Sequence, residues 1–278
     1  MKKLLSLLLC ALLIALPLSV NAESASKGPV QIENGATIDL DGDGTDEPIA
    51  FAEERDEYGD GKFTLTVGSS TVSQENCISL GGELYAFSLT LPGSDTLWGT
   101  LLMPFEYGPS DDPVSYCYLY TDGTLYSIGK IEALPTSMKL NGELIETTVR
   151  CDILGTWGRA AAYKIACGHS MNGEEYVSTY AICEIPRDIY PMGLIAETKI
   201  DLPLQASRAD DAVSGTIAAG EKIVFAATDN LHWVYASSLD GTVSGWFYGD
   251  YADYPATIRA GGKTVNADDA FADLMYAD

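Results

Sequence analysis

Histidine is nearly missing from this chain: His169 and His232 are two imidazoles in 278 residues. That scarcity excludes a His-rich zinc centre or a relay of imidazole bases. Basic residues are also few, 16 against 40 acidic ones, for a formal net charge of −24. Such an excess repels nucleic acid and anionic bilayer surfaces, and neither is expected as a partner. After the first residues no apolar run is long enough to span a bilayer core of about 30 Å. Between about Val30 and Pro203 no segment has the periodicity of a long amphipathic helix. A phosphate loop is lacking too: Gly59-Asp60-Gly61-Lys62 has neither the glycine spacing nor the Ser/Thr after lysine.

Cysteine is sparse and irregularly spaced. Beyond Cys10 there are Cys77, Cys117, Cys151, Cys167 and Cys183, with no Cys-x-x-Cys pair among them. Five is odd, so at least one stays unpaired. Buried free thiols are the expectation, with room for one or two bridges whose pairing is open.

What is there begins with an export signal. Lys2 and Lys3 precede an apolar run from Leu4 to Leu16, Pro17 breaks it, and Val20-Asn21-Ala22 places small residues before Glu23. This pattern predicts a signal peptide over 1–22, with no membrane anchor after cleavage. Cys10 lies too deep in the run, behind Leu9, for a lipid anchor. The expected location is secreted or extracellular, including association with a cell wall. Cleavage removes two lysines and leaves 14 basic residues against 40 acidic ones, a net charge of −26.

Short β-like runs with turn punctuation fill the rest. Lys62–Val67 and Leu84–Leu89 alternate, and each follows glycines. Ser115–Tyr120 and Thr124–Ile128 flank Thr121-Asp122-Gly123, and Asp-Gly between alternating runs predicts a tight hairpin. The fold class expected is mainly β: an N-terminal antiparallel region, partial propeller-like or sandwich, then a small barrel. The boundaries expected are a flexible leader over 23–29, a β-rich domain over 30–200, a barrel over 201–262 and a tail over 263–278. Within the tail, Asn266–Tyr276 can form a short helix capped by Asn266 or Asp268.

Residues 39–47 carry the clearest chemistry. Asp39, Asp41 and Asp43 put carboxylates at every second position, Gly44 permits a turn, Thr45 offers its carbonyl, and Glu47 closes the loop with Asp46 as alternate. Alternate oxygens on a curled loop suit a hard divalent cation, and calcium takes six to eight oxygens at about 2.3–2.6 Å. An EF-hand would need Glu at the twelfth position, where Ala50 stands. The flanks Ala36-Thr37-Ile38 and Pro48-Ile49-Ala50-Phe51 are strand-prone, so a calcium loop between two strands is expected. The competing reading is a metal-free acidic turn whose aspartates cap backbone amides. Over Ile38–Phe51 the pattern resembles the loop of FG-GAP/VCBS-type repeats, found in propeller blades of secreted and surface proteins.

Gly108-Pro109-Ser110-Asp111-Asp112 before the Tyr-rich hairpin looks like a degenerate second blade, and residues 139–185 like a third. That order, ending in a small barrel, is similar to extracellular clostridial-type proteins, and the resemblance implies no activity. Lys222–Thr228, His232–Ala236 and Gly245-Trp246-Phe247 resemble a bacterial SH3-like barrel. Its usual Arg-x-Gly-Pro segment is replaced here by Ala206–Asp211. The resemblance implies a cell-wall glycopeptide, or another extracellular glycan or peptide, as partner. Trp233 is expected in the barrel core. Trp246 and Tyr248 lie opposite Phe247 by strand alternation and are candidate ligand-binding residues.

Catalysis finds little support. Gly168-His169-Ser170 misses the closing glycine of a nucleophile elbow by one position. Cys167 and His169 would share one strand face, yet a catalytic pair usually comes from separate elements and needs a third orienting group. Adjacent acids such as Asp56 and Glu57 are common by chance among forty. The expectation is a secreted non-enzymatic calcium-binding protein. The alternative is a secreted cell-wall or polysaccharide hydrolase targeted by its SH3-like module.

Overall fold

The computed structural model describes residues 26–109, 112–172, 175–252 and 255–276. The expected signal peptide, and Ser110 and Asp111, lie outside the described residues. The protein is mainly β, built of antiparallel sheets. No helix among the described residues is long and apolar enough to cross a membrane.

Three successive meanders make up the first two thirds. The first sheet joins β2 (Thr37–Ile38), β3 (Glu47–Arg55), β4 (Gly61–Val67) and β5 (Ser70–Cys77) in sequence order. The second joins β6 (Leu80–Thr90), β7 (Leu97–Glu106), β8 (Val114–Thr121) and β9 (Thr124–Ile131), with β1 (Val30–Ile32) added beside β6. The third joins β10 (Lys139–Asn141), β11 (Leu144–Cys151), β12 (Trp157–Asn172) and β13 (Glu175–Glu184).

The second sheet is buried on both faces. Leu84, Ala86, Leu102, Tyr118 and Tyr120 pack with Phe51, Phe63, Leu65 and Val67 of the first sheet. Phe87, Leu101, Met103, Cys117 and Leu119 pack with Ile145, Val149, Ala161 and Tyr163 of the third. A strand with two dry faces needs apolar residues at successive positions rather than alternate ones. Leu101-Leu102-Met103 on β7, each 0% exposed, meets that need. The meanders therefore stack as three layers. Gly108–Asp112 joins the second and third strands of the middle meander, whereas the acidic loop joins the first and second strands of its own.

The last third is one curled sheet. β14 (Tyr190–Thr198) and β15 (Leu202–Ser207) share it with β16 (Asp210–Ile217), β17 (Lys222–Thr228), β18 (Trp233–Ser238), β19 (Ser244–Asp250) and β22 (Phe271–Ala272). The order is β16-β15-β19-β18-β17-β14-β22, and a hairpin of β20 (Thr257–Ala260) and β21 (Lys263–Asn266) continues from β19. Its core gathers Leu202, Leu204, Ile223, Phe225, Val234, Phe247, Ile258 and Phe271. Three phenylalanines meet there, with Phe225 and Phe271 ring centroids 5.0 Å apart. Ala206–Asp211 forms the end of the β15–β16 hairpin, where Ser207 pairs with Asp210. The helix expected over Asn266–Tyr276 is a single turn, α1 (Ala267–Ala270), and the Asn266 side chain makes no capping bond. Phe271 enters the phenylalanine cluster as a strand residue, and this ends the helix.

All five described cysteines are free thiols. Burial pushes the Cys77 thiol up to about 11 and that of Cys117 up to about 12.

Candidate functional site: an acidic loop between two strands

The acidic segment is the β2–β3 connection, and three anchors hold it. Leu40 is 2% exposed and sits in the core between the first two sheets. Its amide donates to Glu47 Oε2 at 2.9 Å, and its carbonyl accepts from Thr100 Oγ1 of β7 at 2.7 Å. Gly42 turns with φ +81° directly against β7, where a Cβ would stand 2.5 Å from the Leu97 carbonyl oxygen. Only glycine fits both demands. The third anchor is remote in sequence: the Gly123 amide, in the β8–β9 turn, donates to Asp41 Oδ2 at 2.8 Å.

Within the loop, carboxylates shape the backbone. Asp39 accepts from the Gly42 amide at 2.7 Å and from the Gly44 amide at 3.1 Å. Asp43 accepts from the Thr45 amide at 2.6 Å. These bonds curl the chain so that Asp39, Asp41 and Asp43 each bring one oxygen to within 4.8 Å of the others. Two oxygens on one calcium stand at most about 5 Å apart, twice the metal–oxygen distance, so the three can share a cation. The cluster can hold a metal ion.

The remaining acids are placed differently. Glu47 is buried, 7% exposed, and lies outside the close triad, gripping the Leu40 amide. Asp46 is exposed. Thr45 is exposed, with its amide on Asp43. Burial first, and then the charges of Asp41, Asp43 and Asp39, hold the Glu47 carboxyl above its usual range. The Tyr120 phenol, pushed up to about 12 by burial and by Glu47, Asp41 and Asp43, reports the same negative field. Asp41 Oδ1 is buried without a hydrogen-bond partner. A cation could partner that oxygen, while Asp39 and Asp43 already cap backbone amides as a metal-free acidic turn does.

The aromatic candidates lie on the outer face of β18 and β19. Trp233 pairs with Tyr248 and Tyr235 with Trp246 across the two strands, rings edge to face at 5.3 and 5.2 Å. Trp233, expected in the core, is on this half-buried face because Val234 and Ala236 take the inward positions of β18. Tyr248 also carries His232 stacked at 5.0 Å and the Arg259 guanidinium at 4.2 Å. Trp246 carries the Arg208 guanidinium at 5.4 Å. Beside Tyr248 and Arg259 a cavity of about 160 Å³ opens between β19 and the β20–β21 hairpin.

β12 runs as strand through Gly168–Ser170, which rules out the strand-turn-helix of a nucleophile elbow. Cys167 and His169 do share a face, with Sγ 3.7 Å from Nε2. Sequence reasoning missed Ser178, which lies opposite His169 on β13 with Oγ 3.4 Å from Nδ1. A serine in a polar run gives no signal of that pairing before the register is known. Gly123 and Arg259 were missed for the same reason.

No protein-family model, curated protein or solved structure matches this chain.

Proposed function

We propose that this is a secreted, non-enzymatic β protein that binds one calcium ion through Asp39, Asp41 and Asp43. The C-terminal sheet, whose sequence over Lys222–Phe247 resembles an SH3-like barrel, docks on cell-wall glycopeptide or another extracellular glycan or peptide. The single observation carrying the calcium reading is the convergence of three aspartate oxygens within 4.8 Å beside the buried, unpartnered Asp41 Oδ1. A hard, all-oxygen set at a strand junction suits calcium, and the likeness to FG-GAP/VCBS-type loops agrees. Bound there, the ion braces the β2–β3 loop against the Gly123 turn. It also offsets repulsion within a secreted chain of net charge −26, the −24 of the full sequence less Lys2 and Lys3.

A thermal melt with and without calcium tests the brace. Calcium at about one hundred times its dissociation constant should add about 2.7 kcal/mol, and chelator should remove it. Asp41→Asn keeps an oxygen to accept from Gly123 but removes a charge, and it should abolish the response. Equal melts in calcium and chelator would sink the site.

Docking is supported by the aromatic row with guanidinium groups over two of its rings. Trp246 and Tyr248 would present ring edges and Arg259 donors to sugar hydroxyls or peptide carbonyls, whereas the Arg208 guanidinium already donates to Asp188 at 2.8 Å. Retention on purified cell walls, lost in Trp246→Ala, is the expected outcome. Retention unaffected by that change, or no retention at all, removes the docking reading.

A further inference from the structure

Four of the five described thiols are at least partly withdrawn from water: Cys77, Cys117 and Cys151 are buried and Cys183 is half-buried. Cys167 is exposed, on the part of β12 that extends past its pairing with β11. It has no disulfide partner within the hairpin. Cys167 pairs with Tyr180, and Cys183 lies three residues further along β13, an odd offset that turns its side chain to the opposite face. Cys167 instead faces His169, with Sγ 3.7 Å from Nε2. Across the ladder, the Ser178 hydroxyl lies 3.4 Å from Nδ1 of the same ring. If Nδ1–H donates to Ser178 Oγ, the Nε2 lone pair points at the thiol, so a third group orients the imidazole.

We propose that Cys167 is a thiol–disulfide exchange site, with His169 as its proton acceptor and Ser178 as the positioning residue that sets the imidazole tautomer. The exchange uses Cys167 once and does not turn over, and its substrate class is small, cationic aliphatic disulfides: the thiol is open to solvent, and a chain of net charge −24 concentrates cations and repels anions. In the step, the Cys167 S–H proton passes to His169 Nε2. The thiolate attacks one sulfur of the disulfide, a new S–S bond forms as the old one breaks, and the leaving thiolate takes the proton back from Nε2. One thiol and one disulfide are consumed and one of each is produced, so no outside oxidant is needed. Among the described residues, the titratable groups facing the pair include Tyr180 of β13 and, beyond it, Tyr126 of β9 and Asp122 of the β8–β9 turn.

The test is the rate of cystamine adduct formation on the full chain, followed by intact-mass and peptide mass spectrometry at pH 8 and pH 6. An isolated thiol slows roughly a hundredfold over that interval as its thiolate fraction falls. The unaltered protein should slow less than tenfold, with the adduct on Cys167. His169→Gln should restore the steep fall, Ser178→Ala should lie between them, and Cys167→Ser should abolish the fast adduct. Dithiodipropionate, an anionic disulfide, should react more slowly than cystamine, with a gap that narrows as salt rises. Melting curves of each exposed-site variant verify folding. A hundredfold fall shared by the unaltered protein and His169→Gln, or a first adduct on Cys183, overturns the site. Equal rates for the two probes overturn the substrate class.

Discussion

The acidic loop and the aromatic row of the C-terminal sheet both gather one kind of side chain, but they differ in what is left over. In the loop, three carboxylates converge and Asp41 keeps a buried oxygen with no partner. In the row, like meets unlike: Tyr248 has an indole edge, an imidazole and a guanidinium around it, and Trp246 a phenol edge and a guanidinium. Rings carry a negative face and a positive edge, so neighbours can satisfy one another without a ligand. Carboxylates have no such complementarity, and every one added raises the cost of the next. The carboxylate cluster satisfies most of its oxygens with backbone amides and leaves one buried oxygen without a partner, whereas the rings and cations can be complete by themselves.

Three measurements would break or sharpen that contrast. The largest effect is expected inside the curled sheet. Phe247→Ala should cost about 3–5 kcal/mol in urea unfolding, because Phe247 is 1% exposed among Phe225 and Phe271. Tyr248→Ala, one position away on the outer face, should cost only about 1–2 kcal/mol, the worth of its ring pair and cation contact. Equal losses would mean that the outer row is core.

Next come the glycines of the acidic loop. Gly42→Ala should cost about 2–3 kcal/mol, because a positive φ combines with the contact to Leu97. Gly44→Ala has φ +87° but open space and should cost about 1 kcal/mol. A reversed order would show that the loop is not seated on β7.

The smallest effect is a pH slope. The native Glu47 carboxyl is held above 4.5, so the folded state binds this proton more tightly than the unfolded chain does. Its contribution is fully present below 4.5 and is lost as pH rises through the raised value. In chelator, stability should therefore decline over that rise, and Glu47→Gln should flatten the decline. A slope of opposite sign would mean that the Leu40 amide outweighs burial and the three aspartates.

Much of the local structure was legible in the residues. Thr121-Asp122-Gly123 marked the β8–β9 turn because Asp122 and Gly123 both take positive φ, +49° and +70°. Lys222–Thr228 is β17 over that same span. The aspartate spacing pointed to a shared centre because a curled loop turns alternate side chains inward. What stayed hidden depends on contacts remote in the chain. Nothing near Gly123 says that its amide serves Asp41, 82 residues earlier. Trp233 reads as core by size, yet Val234 and Ala236 claim the interior through strand parity. The stacking of the meanders was equally unreadable, because a run such as Leu101-Leu102-Met103 says that both faces are dry and not what dries them.

A sheet without a wet side also constrains the order of events during synthesis. When residue 131 emerges, the middle layer can form and the first layer can close one side of it. Phe87, Leu101, Met103 and Leu119 still face outward as an adhesive surface until β11 and β12 arrive. The first half of the polypeptide therefore cannot mature ahead of the next fifty residues, and a truncated product ending between them should aggregate.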